Sequence, residues 1–155
     1  MEIKTKQINY FEALISELNE EDKNALQNAQ KAIENSYSPY SKFRVASAVT
    51  LDNKEVFLGA NQENSAYPSG LCAERVALFY ASANSKGAKL ISIAVVANNS
   101  KGEFALAYPC GACLQVMKEM EIKYKNSLRI IVQIDAKRVQ IFEGVEALMP
   151  FSFIL

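Results

Sequence analysis

The chain has 155 residues, half of them hydrophobic and 22% charged, a balance that suits one soluble domain with a buried core. Lys plus Arg and Asp plus Glu both number 17, so the formal charge is zero and no basic face for a long polynucleotide is expected. There is no histidine, which removes the Ser-His-Asp triad, the Cys-His dyad and every histidine-ligated metal site.

The start, Met1-Glu2-Ile3-Lys4-Thr5, lacks a signal segment, and no apolar run approaches about 18 residues, so no membrane span is expected. Ile3 to Leu18 mixes alternation with helical spacing and reads as a strand or a short helix. Asn19 caps a helix with Glu20, Glu21 and Asp22 in its first turn, and apolar Ala25, Leu26, Ala29, Ala32 and Ile33 carry it to about Asn35. Residues 1–35 form an extension within a single domain, 1–155. Phe43 to Leu51 alternates as a strand, Asp52-Asn53 turns, and a second strand covers Val56 to Ala60. Leu71 to Ala83, apolar nearly all round after Arg75, reads as an interior helix. Leu90 to Ala97 reads as a strand covered on both faces. Pro109 opens a helix to about Tyr124, two strands follow at Arg129–Ile134 and Val139–Phe142, and a short helix lies near Glu146. This order points to an α/β sandwich around one mixed sheet.

All three cysteines fall in two motifs at the starts of helices: Cys72-Ala73-Glu74-Arg75 and Pro109-Cys110-Gly111-Ala112-Cys113. An odd number of thiols, two of them three positions apart, makes no disulfide framework and suits a reducing cytoplasm. Cys110 and Cys113 share one helix face, and helix N-termini favour thiolates. If the two helices lie level, three sulfurs converge on one zinc ion with an open fourth position, the mark of a catalytic site. Glu74 is the candidate proton carrier, because a nucleophilic water needs a base and a leaving amine needs an acid. Positions i and i+2 do not share a helix face, so Glu74 reaches the metal only if the helix begins irregularly.

These motifs resemble those of the zinc nucleobase deaminases, and the chain is similar to the small tetrameric cytidine deaminases of nucleoside salvage. The likeness runs from about Ser36 to Phe153. It includes Ser38-Pro39-Tyr40-Ser41-Lys42-Phe43-Arg44-Val45, Asn61-Gln62-Glu63-Asn64, Ala66-Tyr67-Pro68, Gly70 to Arg75, and Pro109 to Cys113 with Gln115-Val116. The resemblance implies a three-layer α-β-α sandwich with a central five-stranded mixed sheet. It implies hydrolytic deamination of cytidine and deoxycytidine to uridine and deoxyuridine with release of ammonia. Cys72, Cys110 and Cys113 would hold one zinc per subunit, Glu74 would shuttle protons during attack on C4, and the Ala73 backbone with Glu74 would read the pyrimidine edge. Phe43 would stack on the base, and Asn61 and Glu63 would bind the ribose 3′-hydroxyl. A homotetramer with shared sites is implied, in which Ser65, Tyr67 and Phe153 reach a neighbour's pocket.

One position departs from the pattern. Three thiolates leave zinc with net negative charge, which Arg75 is placed to offset, but Leu114 stands where relatives usually carry a second arginine. The expectation is that Arg75 and backbone N–H groups carry the compensation alone. The competing readings are a deaminase of another aminated nucleoside or a blasticidin-like compound, and a catalytically weakened, zinc-stabilised interaction protein. The Asn61–Glu63 pair favours a ribose, and Glu74 separates an enzyme from a scaffold.

Overall fold

The computed structural model describes residues 1–155. Its strands are β1 (Phe11–Leu14), β2 (Arg44–Leu51), β3 (Val56–Ala60), β4 (Leu90–Asn98), β5 (Phe104–Ala105), β6 (Arg129–Gln133) and β7 (Arg138–Glu143); its helices are α1 (Glu20–Ala32), α2 (Ala73–Asn84) and α3 (Gly111–Tyr124). The strands form one seven-stranded sheet in the order β1-β7-β6-β4-β2-β3, with β5 paired to β4. β4 and β6 are parallel; the other pairs are antiparallel. The mixed sheet is as expected, but it has seven strands and not five. The two additions are β1 on the outer edge of β7 and the two-residue β5, too short to leave a periodic trace.

Alternation along the strands divides the core between two faces. Ala46, Ala48, Ala94, Val96, Ile131 and Val139 pack against Leu26, Ala29 and Ala32 of α1. Val49, Leu51, Ile93, Val95, Ile130 and Val132 pack against Ala77, Leu78 and Ala81 of α2 and Met117 and Met120 of α3. The result is the expected three-layer α-β-α sandwich, with small alanines on β2 letting α1 approach closely.

The start of α1 is as the sequence predicts: Asn19 Oδ1 accepts from the Asp22 N–H at 2.8 Å. Buried Asp22 also takes the Arg129 guanidinium through Nε and Nη2, tying α1 to β6. Between Ile3 and Leu18 both alternatives occur, a strand at Phe11–Leu14 and then a 3₁₀ turn at Ile15–Glu17. Phe43 lies just outside β2, and the short helix expected near Glu146 is one 3₁₀ turn, Val145–Ala147. Helix α2 is not interior on all sides. Phe79 and Tyr80 are 46% and 56% exposed, because α2 has the sheet on one side and nothing on the other. No helix is long and apolar enough to cross a membrane.

Glu121 closes the C-terminal half of α3. Its Oε1 accepts from the Leu128 and Val145 N–H groups, both at 3.0 Å, and Lys118 pairs with Oε2 at 3.2 Å. Glu121→Ala strands two buried N–H donors and should cost about 2 kcal/mol. The check is a lower urea midpoint at unchanged m, with Glu121→Gln losing less because it keeps one acceptor.

Candidate metal centre and active site

The topology sets the two cysteine motifs level. β3 and β4 both run antiparallel to β2, so they are parallel to each other. α2 follows β3, and α3 follows β4 after β5, and both pack on the same face of the sheet. Their N-termini therefore open at the carboxyl ends of two parallel strands, the usual place for a site in α/β sheets. Two residues to which the sequence reading gave no role, Gly59 and Gln62, secure this. Gly59 on β3 lets the α2 backbone press on the strand: a Cβ there would lie 2.4 Å from the Ala77 nitrogen and 2.5 Å from the Ala73 oxygen. A glycine inside a strand pattern is the available signal for such close approach. Gln62 exchanges two backbone hydrogen bonds with Leu71, at 2.9 and 3.0 Å, drawing the Asn61–Asn64 loop against Cys72.

Cys72 and Cys110 are the N-caps of α2 and α3, both with extended backbone, and Cys113 lies in the first turn of α3. The three Sγ atoms lie within 4.8 Å of one another, with Cys72–Cys110 at 3.8 Å and Cys110–Cys113 at 3.5 Å. Zinc–sulfur bonds of about 2.3 Å at tetrahedral angles require sulfurs about 3.8 Å apart, close to the spacings found here, so the thiols fit zinc. Cys113 is buried, Cys72 half-buried and Cys110 exposed, which leaves the open side of the cluster toward solvent.

The same irregular helix start resolves the spacing of Glu74. Cys72 is still extended, and Glu74, two residues on in the first turn, lies near enough to Cys72 and Cys113 for both to act on its carboxyl. Glu74 is 4% exposed. Burial raises its carboxyl above the usual range, and the neighbouring Cys72 adds to this. Hydrogen bonding from Cys113, with help from Arg75 and Cys110, pulls the Cys72 thiol down to about 5. The same bond to Cys72, together with burial, pushes Cys113 upward. Of these two, Cys72 is the sulfur that ionises first.

Arg75 donates from Nη2 to Cys72 Sγ at 3.9 Å, and its Nε is buried without a partner. Leu114 is 7% exposed and packs in the core with Met117. Position 114 therefore serves packing here, and no second cation hydrogen-bonds a cysteine sulfur.

Beside the thiols lies a cleft of about 310 Å³ lined by Asn61, Glu63, Tyr67, Cys72 and Arg75 among others. A larger polar cleft of about 520 Å³ between Ser36–Arg44 and Asn99–Gly102 contains no cysteine and is not this site. Asn61 has three of its four hydrogen-bonding positions committed to structure. Its Oδ1 accepts from Val45 N at 2.9 Å and Ser36 Oγ at 2.5 Å, and its Nδ2 donates to Phe43 O at 2.9 Å. One N–H remains for a ligand. Glu63 accepts from the Tyr40 and Ser41 N–H groups at 2.8 and 3.2 Å and from the Ser41 hydroxyl. Ser41 is thus a partner of Glu63 that the sequence reading quoted but did not single out. Phe43 is half-buried and does not line the cleft, though its carbonyl is held by Asn61. Ser65 is exposed, as are Tyr67 at 77% and Phe153 at 69%.

The Ser41 hydroxyl, followed by the Tyr40 and Ser41 amides, holds the Glu63 carboxyl below its usual range. A depressed acid lends its stabilisation above the unfolded pKa and loses it as pH falls through the folded value. The Tyr40 and Ser41 amide NMR shifts should accordingly titrate together at a midpoint below that of an ordinary glutamate. An ordinary midpoint would break the link between Glu63 and this loop.

Known proteins resemble this chain in sequence and fold. The family described as "Cytidine and deoxycytidylate deaminase zinc-binding region" matches residues 19–126. A cytidine deaminase of Halalkalibacterium halodurans is 43% identical over 96 residues, covering 61% of this chain and 68% of its own length. One from Sporosarcina psychrophila is 41% identical over 91 residues, 59% of this chain and 63% of its own. Among solved structures, a cytidine deaminase from Burkholderia pseudomallei superposes with a TM-score of 0.72 at 34% identity, covering 84% of this chain and 98% of that one. With three thiols spaced for zinc at level helix N-termini and a family match through both motifs, the chain belongs to the cytidine and deoxycytidylate deaminase zinc-binding family.

Proposed function

We propose that this protein is a zinc-dependent hydrolase that converts cytidine and deoxycytidine, with water, to uridine and deoxyuridine and ammonia in pyrimidine salvage. The observation that carries the reading is the buried carboxyl of Glu74 beside a three-sulfur cluster at two level helix N-termini. Cys72, Cys110 and Cys113 hold one zinc, which when bound supplies the Lewis acidity that makes water a nucleophile near neutral pH. Glu74 takes a proton from the attacking water and returns one to the amine that leaves C4. An acid of raised pKa suits both directions of that transfer. The Ala73 backbone and Glu74 read the pyrimidine edge, and Phe43, outside the cleft on one copy but tied to it through Asn61, stacks on the base. Asn61, through its free N–H, and Glu63 bind the ribose 3′-hydroxyl. Arg75 offsets part of the thiolate charge.

The whole chain acts as one domain, because β1 joins the same sheet as the rest. It works as a cytoplasmic homotetramer in which Ser65, Tyr67 and Phe153 complete a neighbouring subunit's site. Support for self-association comes from apolar groups left uncovered on one copy, among them Phe79 and Tyr80 on α2, Tyr67 and Phe153. Free thiols suit the cytoplasm.

The test is zinc-loaded protein mixed with cytidine and followed by the ultraviolet change on forming uridine. Turnover that disappears when a chelator removes the metal, and returns with zinc, is the expected result. No uridine from fully loaded protein would overturn the assignment.

A further inference from the structure

Residues 1–18 precede the family match, and they are tied to the far end of the chain. Lys6 Nζ donates to the Pro150 carbonyl at 2.9 Å, pairs with the Glu146 carboxylate, and lies 5.4 Å from the centre of the Phe151 ring. The base of this arm is fixed: Phe11–Leu14 pairs with β7, and Tyr10 stacks on Phe142 at 5.5 Å. On the other side of the tail, Gln115 Nε2 donates to the Phe153 carbonyl at 2.9 Å, and Gln115 stands two residues after Cys113 on α3.

The tail needs these grips. Val145 is the last buried residue, and Phe151, Phe153 and Ile154 are 89%, 69% and 61% exposed. No backbone N–H beyond Met149 is hydrogen-bonded to backbone. A segment with so little burial stays ordered only if a few contacts offset its conformational entropy. Lys6 supplies three of them at one point, and Gln115 holds the next.

We propose that Lys6 is a positioning residue: the N-terminal arm clamps the C-terminal tail so that Phe153 is presented in one conformation to a neighbouring copy's cleft. This rests on the reading above that Phe153 completes a neighbour's site. The arm acts by raising the fraction of tails that are docked, and the apparent affinity for nucleoside scales with that fraction.

Lys6→Ala, Lys6→Arg and Phe153→Ala are compared with the parent protein as zinc-loaded full chains. Lys6→Ala should raise KM for cytidine roughly threefold to tenfold with kcat within about twofold, as befits partly exposed polar contacts. Lys6→Arg should recover most of the loss. A second readout needs no substrate: carboxypeptidase should release Leu155, Ile154 and Phe153 faster from Lys6→Ala, while light scattering shows unchanged size. If Phe153→Ala raises KM and Lys6→Ala does not, the clamp is wrong and the shared site stands. If Phe153→Ala leaves KM alone, the shared-site reading fails and takes the clamp with it. A Lys6→Ala protein of smaller size would make the arm an assembly element, which also overturns the positioning role.

Discussion

Glu74→Gln is expected to lower kcat on cytidine by about 10²- to 10⁴-fold while the zinc content stays at that of the parent. The substitution keeps the size of the side chain and one acceptor oxygen, so the buried packing around position 74 survives. An amide, however, neither takes a proton from water nor gives one to a leaving amine. The sulfur cluster lies on Cys72, Cys110 and Cys113, and none of those atoms is removed. Metal analysis by mass spectrometry beside steady-state kinetics separates the two roles. An unaltered rate would end the proposed mechanism. Loss of zinc along with activity would assign Glu74 to holding the metal and not to moving protons.

Gly59→Ala should be the most damaging change outside the cluster itself. The new methyl would meet backbone atoms, Ala77 N and Ala73 O, and not the movable end of a side chain. Either β3 or the first turns of α2 must retreat, and overpacking of this kind costs about 3 kcal/mol, roughly a hundredfold in the folding equilibrium. Because Cys72 caps α2 while Cys110 caps α3, a retreat of α2 also opens the 3.8 Å spacing between their sulfurs. Zinc should therefore pass more readily to a competing chromophoric chelator. Gly111→Ala is the control. Nothing lies within 4 Å of its new Cβ, and its stability should stay within about 0.5 kcal/mol of the parent. Equal midpoints and equal zinc retention for both variants would refute the close-approach argument.

Much of the architecture was legible because it is written in local periodicity. The Asn19 cap and the acids after it start α1 where they should, and the apolar run of β4 is covered on both faces. Where local signals were weak, the reading slipped. β5 has two residues and no period, and Ile3 to Leu18 left strand and helix open because β1 owes its place in the sheet to an open edge on β7, which no window of that segment contains. Helix α2 looked interior because Val76, Phe79 and Tyr80 are apolar. Composition does not distinguish a face covered by the chain's own core from one left open on a single copy.

The site divides the same way. The chain by itself determined the donor set, three thiols, one carboxylate and no imidazole, because ligand chemistry belongs to residue type. It also determined that the thiols stand at helix starts, since Pro109 and the helical patterns are local. Only the tertiary structure decided that the two starts are level, because that depends on β3 and β4 being parallel and on Gly59 drawing α2 onto the sheet. Only it decided that Cys72 is an extended cap with the Glu74 carboxyl buried in the turn beside it, and that Leu114 turns into the core. Sequence specifies which groups are present, but distances among residues 38 and more positions apart are set by strand order and helix packing, which no local pattern encodes.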